Sequence, residues 1–266
     1  MSRDTGIDAA EANRIFYRTV AAAYDETEHA VMSPRARDLL RGILERALAV
    51  VGPDPTALDA CGGSGNVSEL LVAMGVRPVL VDVSPEMLDR WREKAARLHY
   101  EPETVEGEIA EFLRADPRLW DLIVFSSALH HLDDYREVVA LAAERLCPGG
   151  VLVTAFDPVR GGRVDLALRK VDWIAAAATH EPRDLLATIS ARLRRSTTGE
   201  PPIGRLAERY AISGIDDGAL RRLLEERRFE VLEHERVPEA RLALVRALRR
   251  LLDRPESFHL IARKPA

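Results

Sequence analysis

Three groups of side chains in this sequence could do chemistry. The first is an acid, Asp59, just before the small-residue run Cys61-Gly62-Gly63-Ser64-Gly65. Glycine takes positive φ at no steric cost and lets the backbone approach a ligand closely. An acid at that place suits a ligand with a positive charge nearby. The second is Asp82, which ends the apolar run Val79-Leu80-Val81. Its spacing from the glycine loop fits a carboxylate that binds both ribose hydroxyls of a nucleoside. The third is the pair His130-His131, with Asp157 further along the chain. A histidine oriented by a carboxylate is a sound general base for removing a hydroxyl proton. His130 is the better candidate of the two, because it lies nearer the end of the preceding apolar run. His180 is a weaker second candidate. A metal site of His130, His131, Asp133 and Asp134 is disfavoured, since acids at a helix start usually cap it.

These groups need elements to hold them. Thr56 to Ala60 reads as a buried strand, Cys61 to Gly65 as a tight loop, and Asn66 to Met74 as a helix with Val67, Leu70, Leu71 and Met74 on one face. Strand, glycine loop and helix open a doubly wound α/β domain, and the helix N-terminus favours an anionic group. Val79 to Asp82 is the second strand. Ser84 and Pro85 then start a helix that runs to about His99, as N-cap and first residue. Thr104 to Glu106 is a short third strand. Trp120 to Phe125 is the fourth, apolar but for Asp121, as a strand covered on both faces should be. A helix from Asp134 to Cys147 stops at Pro148-Gly149-Gly150, and Val151 to Phe156 is the fifth strand. Strand ends of a parallel sheet line the ligand crevice, so Asp59, Asp82, the histidine pair and Asp157 converge there.

Outside that core, Asp8 to Ala30 and Pro34 to Val50 read as helices. Gly161 to Gly214 reads as two or three more, over Val164 to Thr179, Pro182 to Arg195 and near Leu206. Leu166, Leu168, Val171, Trp173 and Ile174 are spaced for ordinary helix packing, with an apolar pocket lining as the sharper alternative. Asp217 to Arg228 is an amphipathic helix and Phe229 to Val237 a strand. Pro238 to Leu252 is a helix whose arginine-rich face is expected to be solvated, and Phe258 to Arg263 is the last strand.

With 266 residues, the chain suits one large domain or a domain with an inserted lid. A net charge of −5 gives no electrostatic case for a polyanionic partner. The N-terminus lacks an apolar signal region, and two cysteines then suggest free thiols in a reducing cytosol. No apolar run approaches membrane-spanning length, so a cytoplasmic protein is expected.

With Asp59 to Gly65 in place of D-x-G-x-G-x-G, the sequence resembles the class I S-adenosylmethionine-dependent methyltransferases. Cys61 stands where the first glycine usually does. The resemblance continues through LCPGGVLVTAFD and the closing FHLIARK. It implies an α/β, Rossmann-like doubly wound sheet of seven strands in the order 3-2-1-4-5-7-6. It also implies an N-terminal helical cap (8–50), a cofactor-binding core (51–160), a helical lid (161–214) and a C-terminal part (215–266). The cofactor would be S-adenosylmethionine, with S-adenosylhomocysteine as product. Asp59 would sit near its amino group, and Gly63, Ser64 and Gly65 beside the methionine moiety. Asp82 and Val83 would meet the ribose, Glu108 and Ile109 the adenine, and Ser126 the methionine end. Tyr17 and Tyr24 of the cap would touch that end too. No metal is implied.

S-x-L-H-H-x-x-D after the fourth strand looks like the branch acting on small molecules. Motifs expected of nucleobase, protein-arginine and catechol methyltransferases are missing there. The expected reaction is methyl transfer to a small metabolite or natural product, with His130, helped by Asp157, as base. Three rivals stand beside it. One is a cofactor-retaining cyclase or rearrangement enzyme with no methyl transfer. Another is an RNA or protein methyltransferase. An NAD-dependent oxidoreductase is the least favoured, because Ser68 breaks the dinucleotide fingerprint. The helix between the last two strands is a candidate homodimer or lid element.

Overall fold

Thr56–Ala60 (β1) is buried on both faces, and the sheet grows outward from it. Leu58 and Ala60 enter one hydrophobic core and Ala57 the other, as alternation along a strand requires. The computed structural model describes residues 8–21, 24, 33–180, 210, 213–238, 240 and 242–266. On one side of β1 lie Arg77–Asp82 (β2) and Glu103–Glu106 (β3), on the other Trp120–Ser126 (β4) and Leu146–Pro158 (β5). All these strands run parallel. Ser257–Arg263 (β7) joins antiparallel to β5, and Glu230–Val237 (β6) closes the edge. The order is therefore β3-β2-β1-β4-β5-β7-β6, the one the resemblance implies.

Helices cover both faces. Ala9–Val20 (α1) and Pro34–Leu48 (α2) precede the sheet; Asn66–Ala73 (α3) and Pro85–Arg97 (α4) follow β1 and β2. Leu40, Ile43 and Leu44 of α2 pack with Val67, Leu70 and Leu71 of α3 against one face. The other face carries Ile109–Ala115 (α5), Tyr135–Glu144 (α6) and Asp217–Glu226 (α8). Arg163–His180 (α7) follows β5, and Ala243–Leu251 (α9) lies between β6 and β7.

Ser84 caps α4 as its sequence predicts, accepting from the Met87 amide. Other expectations need correction. α5 was not foreseen, since seven residues give too little periodicity to read. β5 starts at Leu146 rather than Val151. Pro148-Gly149-Gly150 lies inside it, because Gly149 takes φ 79° and Gly150 O accepts from Lys264 N at 2.8 Å beside β7. The arginine-rich face of α9 is not wholly solvated: Arg249 is buried and pairs with Glu256, which also holds Arg169 of α7 at 2.6 Å. Exposed on α9 instead are Leu244 (79 %) and Leu251 (82 %).

Leu168 is buried and Val171 exposed. The side chains of Trp173, Ile174 and His180 lie outside the described residues, as do residues 25–30 of the first expected helix and the helices expected at 182–195 and near 206. Among the described residues no helix is long and apolar enough to cross a membrane.

Candidate active site

The glycine loop folds by close approach. Gly62 N donates to Val81 O at 3.1 Å and Gly65 N to Gly62 O at 2.9 Å. A Cβ on Gly62 would lie 2.5 Å from Leu80 Cγ and 2.7 Å from Asp59 Cγ. Cys61 has φ 56°, the left-handed region that favours glycine. That explains why glycine is usual at this place, and a non-glycine residue there costs roughly 1–2 kcal/mol.

Two carboxylates brace the loop. Asp59, only 1 % exposed, accepts from Ser68 N (3.0 Å) and Ser68 Oγ (2.6 Å), both through Oδ2. Among the described residues no donor reaches its Oδ1. Burial raises its pKa to about 7, and the Ser68 bonds work against that rise. Asp82 accepts from Gly63 N and Ser84 N, each at 2.9 Å, one on each oxygen. Burial raises this carboxyl as well. Each oxygen keeps a second lone pair for a ligand.

Helix α1 crosses the mouth of the crevice. Asn13 Nδ2 donates to His131 O (3.3 Å), Arg14 Nε to Val83 O (3.3 Å), and Ala9 N to Asp133 Oδ2 (3.3 Å). Arg18 reaches Glu86 at 3.2 Å. These contacts span from the end of β2 to the turn after β4. The enclosed cavity is about 210 Å³. Its wall includes Tyr17, Tyr24, Asp59, Gly63, Ser64, Asp82, Val83, Glu108, Ile109, Ser126 and His131. Gly65, His130 and Asp157 are absent from that wall and stand behind it.

The turn after β4 separates the two histidines. Ser127 takes φ 53°, and Leu129–His131 form one turn of 3-10 helix. His130 points inward: its Nδ1 lies 2.8 Å from Asp157 Oδ1, which also accepts from His130 N at 3.1 Å. Burial, then the Arg169 charge, lowers the His130 pKa to about 4. Burial raises Asp157 to about 7, opposed by amides of the same turn. His131 faces the cavity, with Nε2 3.1 Å from Tyr17 Oη and its ring 3.9 Å from the His130 ring. Tyr17 packs edge-on against Tyr24 at 5.8 Å. Asp134 caps α6, accepting from the Arg136 and Glu137 amides.

A methyltransferase domain model matches residues 58–152, the span from β1 through β5. Those residues therefore carry a methyltransferase domain, in keeping with the resemblance to class I S-adenosylmethionine-dependent enzymes. The chain is 31 % identical over 124 residues to a tRNA 5-carboxymethoxyuridine methyltransferase of Escherichia coli K12. That match covers 44 % of this chain and 46 % of the relative, so this chain matches about half of that protein's length. The N-methyltransferase NodS of Bradyrhizobium japonicum WM9, solved with S-adenosyl-L-homocysteine, shares the fold. Its TM-score is 0.58 at 16 % identity, over 96 % of this chain and 100 % of that one. The [4+2]-cyclase SpnF also shares it, with a TM-score of 0.62 at 12 % identity over 98 % of both chains.

Sequence reasoning missed Asn13 and Asn66 on the cavity wall. Asn13 precedes Tyr17 by one helical turn and shares its face, a signal that was available. Asn66 opens α3 beside the glycine loop.

Proposed function

We propose that this protein transfers a methyl group from S-adenosylmethionine to a small-molecule acceptor, with His131 as the general base. The observation that carries the reading is Asp59: a buried carboxylate with one oxygen lacking a donor, beside the glycine loop, in one cavity with Asp82, Glu108 and His131. The donor set fits the cofactor. Asp59 Oδ1 would take the methionine ammonium and Asp82 the ribose hydroxyls, while Glu108 and Ile109 would flank the adenine. When bound, the cofactor supplies a methyl group already carrying a sulfonium leaving group.

The chain's own residues then align the acceptor and exclude water. Helix α1 does the second by lying over the crevice as a cap. His131, with Nε2 at the Tyr17 hydroxyl, is placed to hold the acceptor's proton. His130 and Asp157 fix the turn that presents it: Asp157 Oδ1 accepts the backbone N–H of His130 and pairs with its ring Nδ1. The sequence favours His130 as base; its burial and lowered pKa support a positioning role instead.

His131→Ala is expected to lower kcat by about 100-fold or more while leaving the S-adenosylhomocysteine affinity within about threefold. His130→Ala is expected to lower thermal stability, since it leaves Asp157 buried without its ring partner. Turnover and calorimetry on both variants check this. Equal losses of turnover and cofactor affinity in His131→Ala would mean a structural histidine.

A reading without methyl transfer keeps the same cofactor residues. The shared fold with a cyclase gives that reading a concrete form. Product mass separates the two, because methyl transfer adds a methyl group and a rearrangement adds nothing.

A further inference from the structure

The acceptor's chemistry can be read from the charge of the cavity. Five carboxylates line it: Asp8, Asp59, Asp82, Glu108 and Asp133. Among the described residues no lysine or arginine does. Arg14 and Lys94 reach the wall residues Val83 (at O) and Ser64 (at Oγ) but do not line the cavity themselves. Glu108 is pushed up by burial, with Glu111, Asp8 and Asp133 adding like-charge repulsion across the mouth.

A second observation points the same way. Asn13 is 6 % exposed and lines the cavity, and its Nδ2 is held by Ala9 O and His131 O. Those two bonds fix which way the amide faces. Its Oδ1 is buried and takes no donor. Asn66, also on the wall, has an orphan Oδ1 too. A buried acceptor left unpaired costs roughly 1–3 kcal/mol unless a ligand supplies the donor. The wall therefore offers acceptors and negative charge, and asks for donors and positive charge.

We propose that the methyl acceptor is an amine, neutral or protonated on arrival, and that carboxylate- and phosphate-bearing acceptors are excluded. This rests on the methyltransferase reading above. A cleft lined by one sign of charge concentrates ligands of the opposite sign. The cofactor, with a sulfonium, an ammonium and a carboxylate, brings one net positive charge and would engage Asp59, Asp82 and Glu108, which leaves Asp8 and Asp133 on the wall to face the acceptor. An ammonium must first give a proton to His131. The freed nitrogen lone pair then forms the N–C bond as the C–S bond breaks, its electrons going to sulfur. The methylated ammonium product releases a further proton to solvent where it still carries one. Tyr17 and Tyr24 line the same cavity and put aromatic rings within reach of that cation. A polyanion such as tRNA meets the opposite field.

The test is calorimetry on the full chain loaded with S-adenosylhomocysteine, using three probes of one size: benzylamine, benzyl alcohol and benzoate. Benzylamine is expected to bind at least about tenfold more tightly than benzoate, with the margin shrinking as salt rises. Asp133→Asn, which keeps an acceptor for Ala9 N, is expected to narrow the margin about threefold. Asn13→Leu is expected to weaken benzylamine about fivefold and leave benzoate unchanged. Melting temperatures confirm that both variants fold. Benzoate binding as tightly as benzylamine, or neither binding, overturns the amine assignment with the cofactor reading intact. Failure of S-adenosylhomocysteine itself to bind overturns the methyltransferase reading and this inference with it.

Discussion

Gly65→Ala is expected to cost about 3 kcal/mol of folding stability, the sum of two effects. Gly65 has φ 80°, where any side chain is strained. A Cβ there would lie 2.4 Å from Trp91 Cε3 and 2.5 Å from Cδ2. Trp91 cannot retreat, because it is fully buried among Leu80, Leu88 and Ala95. Backbone strain contributes roughly 1–2 kcal/mol and overpacking roughly 1–3 kcal/mol. The shift would displace the start of α3 and the Gly63 amide that Asp82 holds, so cofactor affinity falls too. Cys61→Gly is the reciprocal control. It relieves a positive φ at 56°, and the strain removed offsets the entropy glycine adds to the unfolded chain. Urea unfolding of the two variants should therefore move in clearly different measure. A Gly65→Ala protein as stable as the parent contradicts this packing.

The cofactor affinity should depend on pH through Asp59. Burial places its pKa near 7 in the free protein, above the ordinary carboxylate value. The folded chain therefore holds a proton that the unfolded chain has lost, and Asp59's contribution to stability falls as pH rises from about 4 to about 7. Binding has the opposite sign. The methionine ammonium needs the ionised carboxylate, so binding expels the proton. Affinity for S-adenosylhomocysteine should fall as pH drops below about 7, approaching about tenfold per pH unit, and level off above it. Asp59→Asn keeps an oxygen for Ser68 but presents an amide to the ammonium. It should lose about 2–3 kcal/mol, or roughly 30- to 150-fold in Kd, and flatten the profile. Calorimetry between pH 5 and 8 reads both, and a flat profile for the parent protein would remove Asp59 from the ammonium site.

The glycine loop and the strands were legible because each was written in short-range signals, and the sheet order came only with the family resemblance that those signals carry. Asp59, the loop and the α3 stripe lie within one continuous stretch, and Ser84-Pro85 is a local cap. What escaped depends on contacts far apart in sequence. β5 begins five residues early because Lys264 pairs with Gly150, more than a hundred residues away. Arg249 is buried because Glu256 waits for it beneath α9. Which histidine faces the crevice was not legible at all. It turns on the positive φ of Ser127 and on Asp157 drawing His130 inward. Neighbouring residues in a turn carry no pattern that says which one points out.

The central claim is that this crevice binds the methyl-donor cofactor, and titration calorimetry tests it most directly. S-adenosylmethionine and S-adenosylhomocysteine should each bind the full chain with a dissociation constant on the order of micromolar, about −8 kcal/mol. NAD should not bind, because Asp59 and Ser68 occupy places where a dinucleotide site needs an apolar residue and a glycine. Binding of NAD, or of neither methionine derivative, would contradict the account.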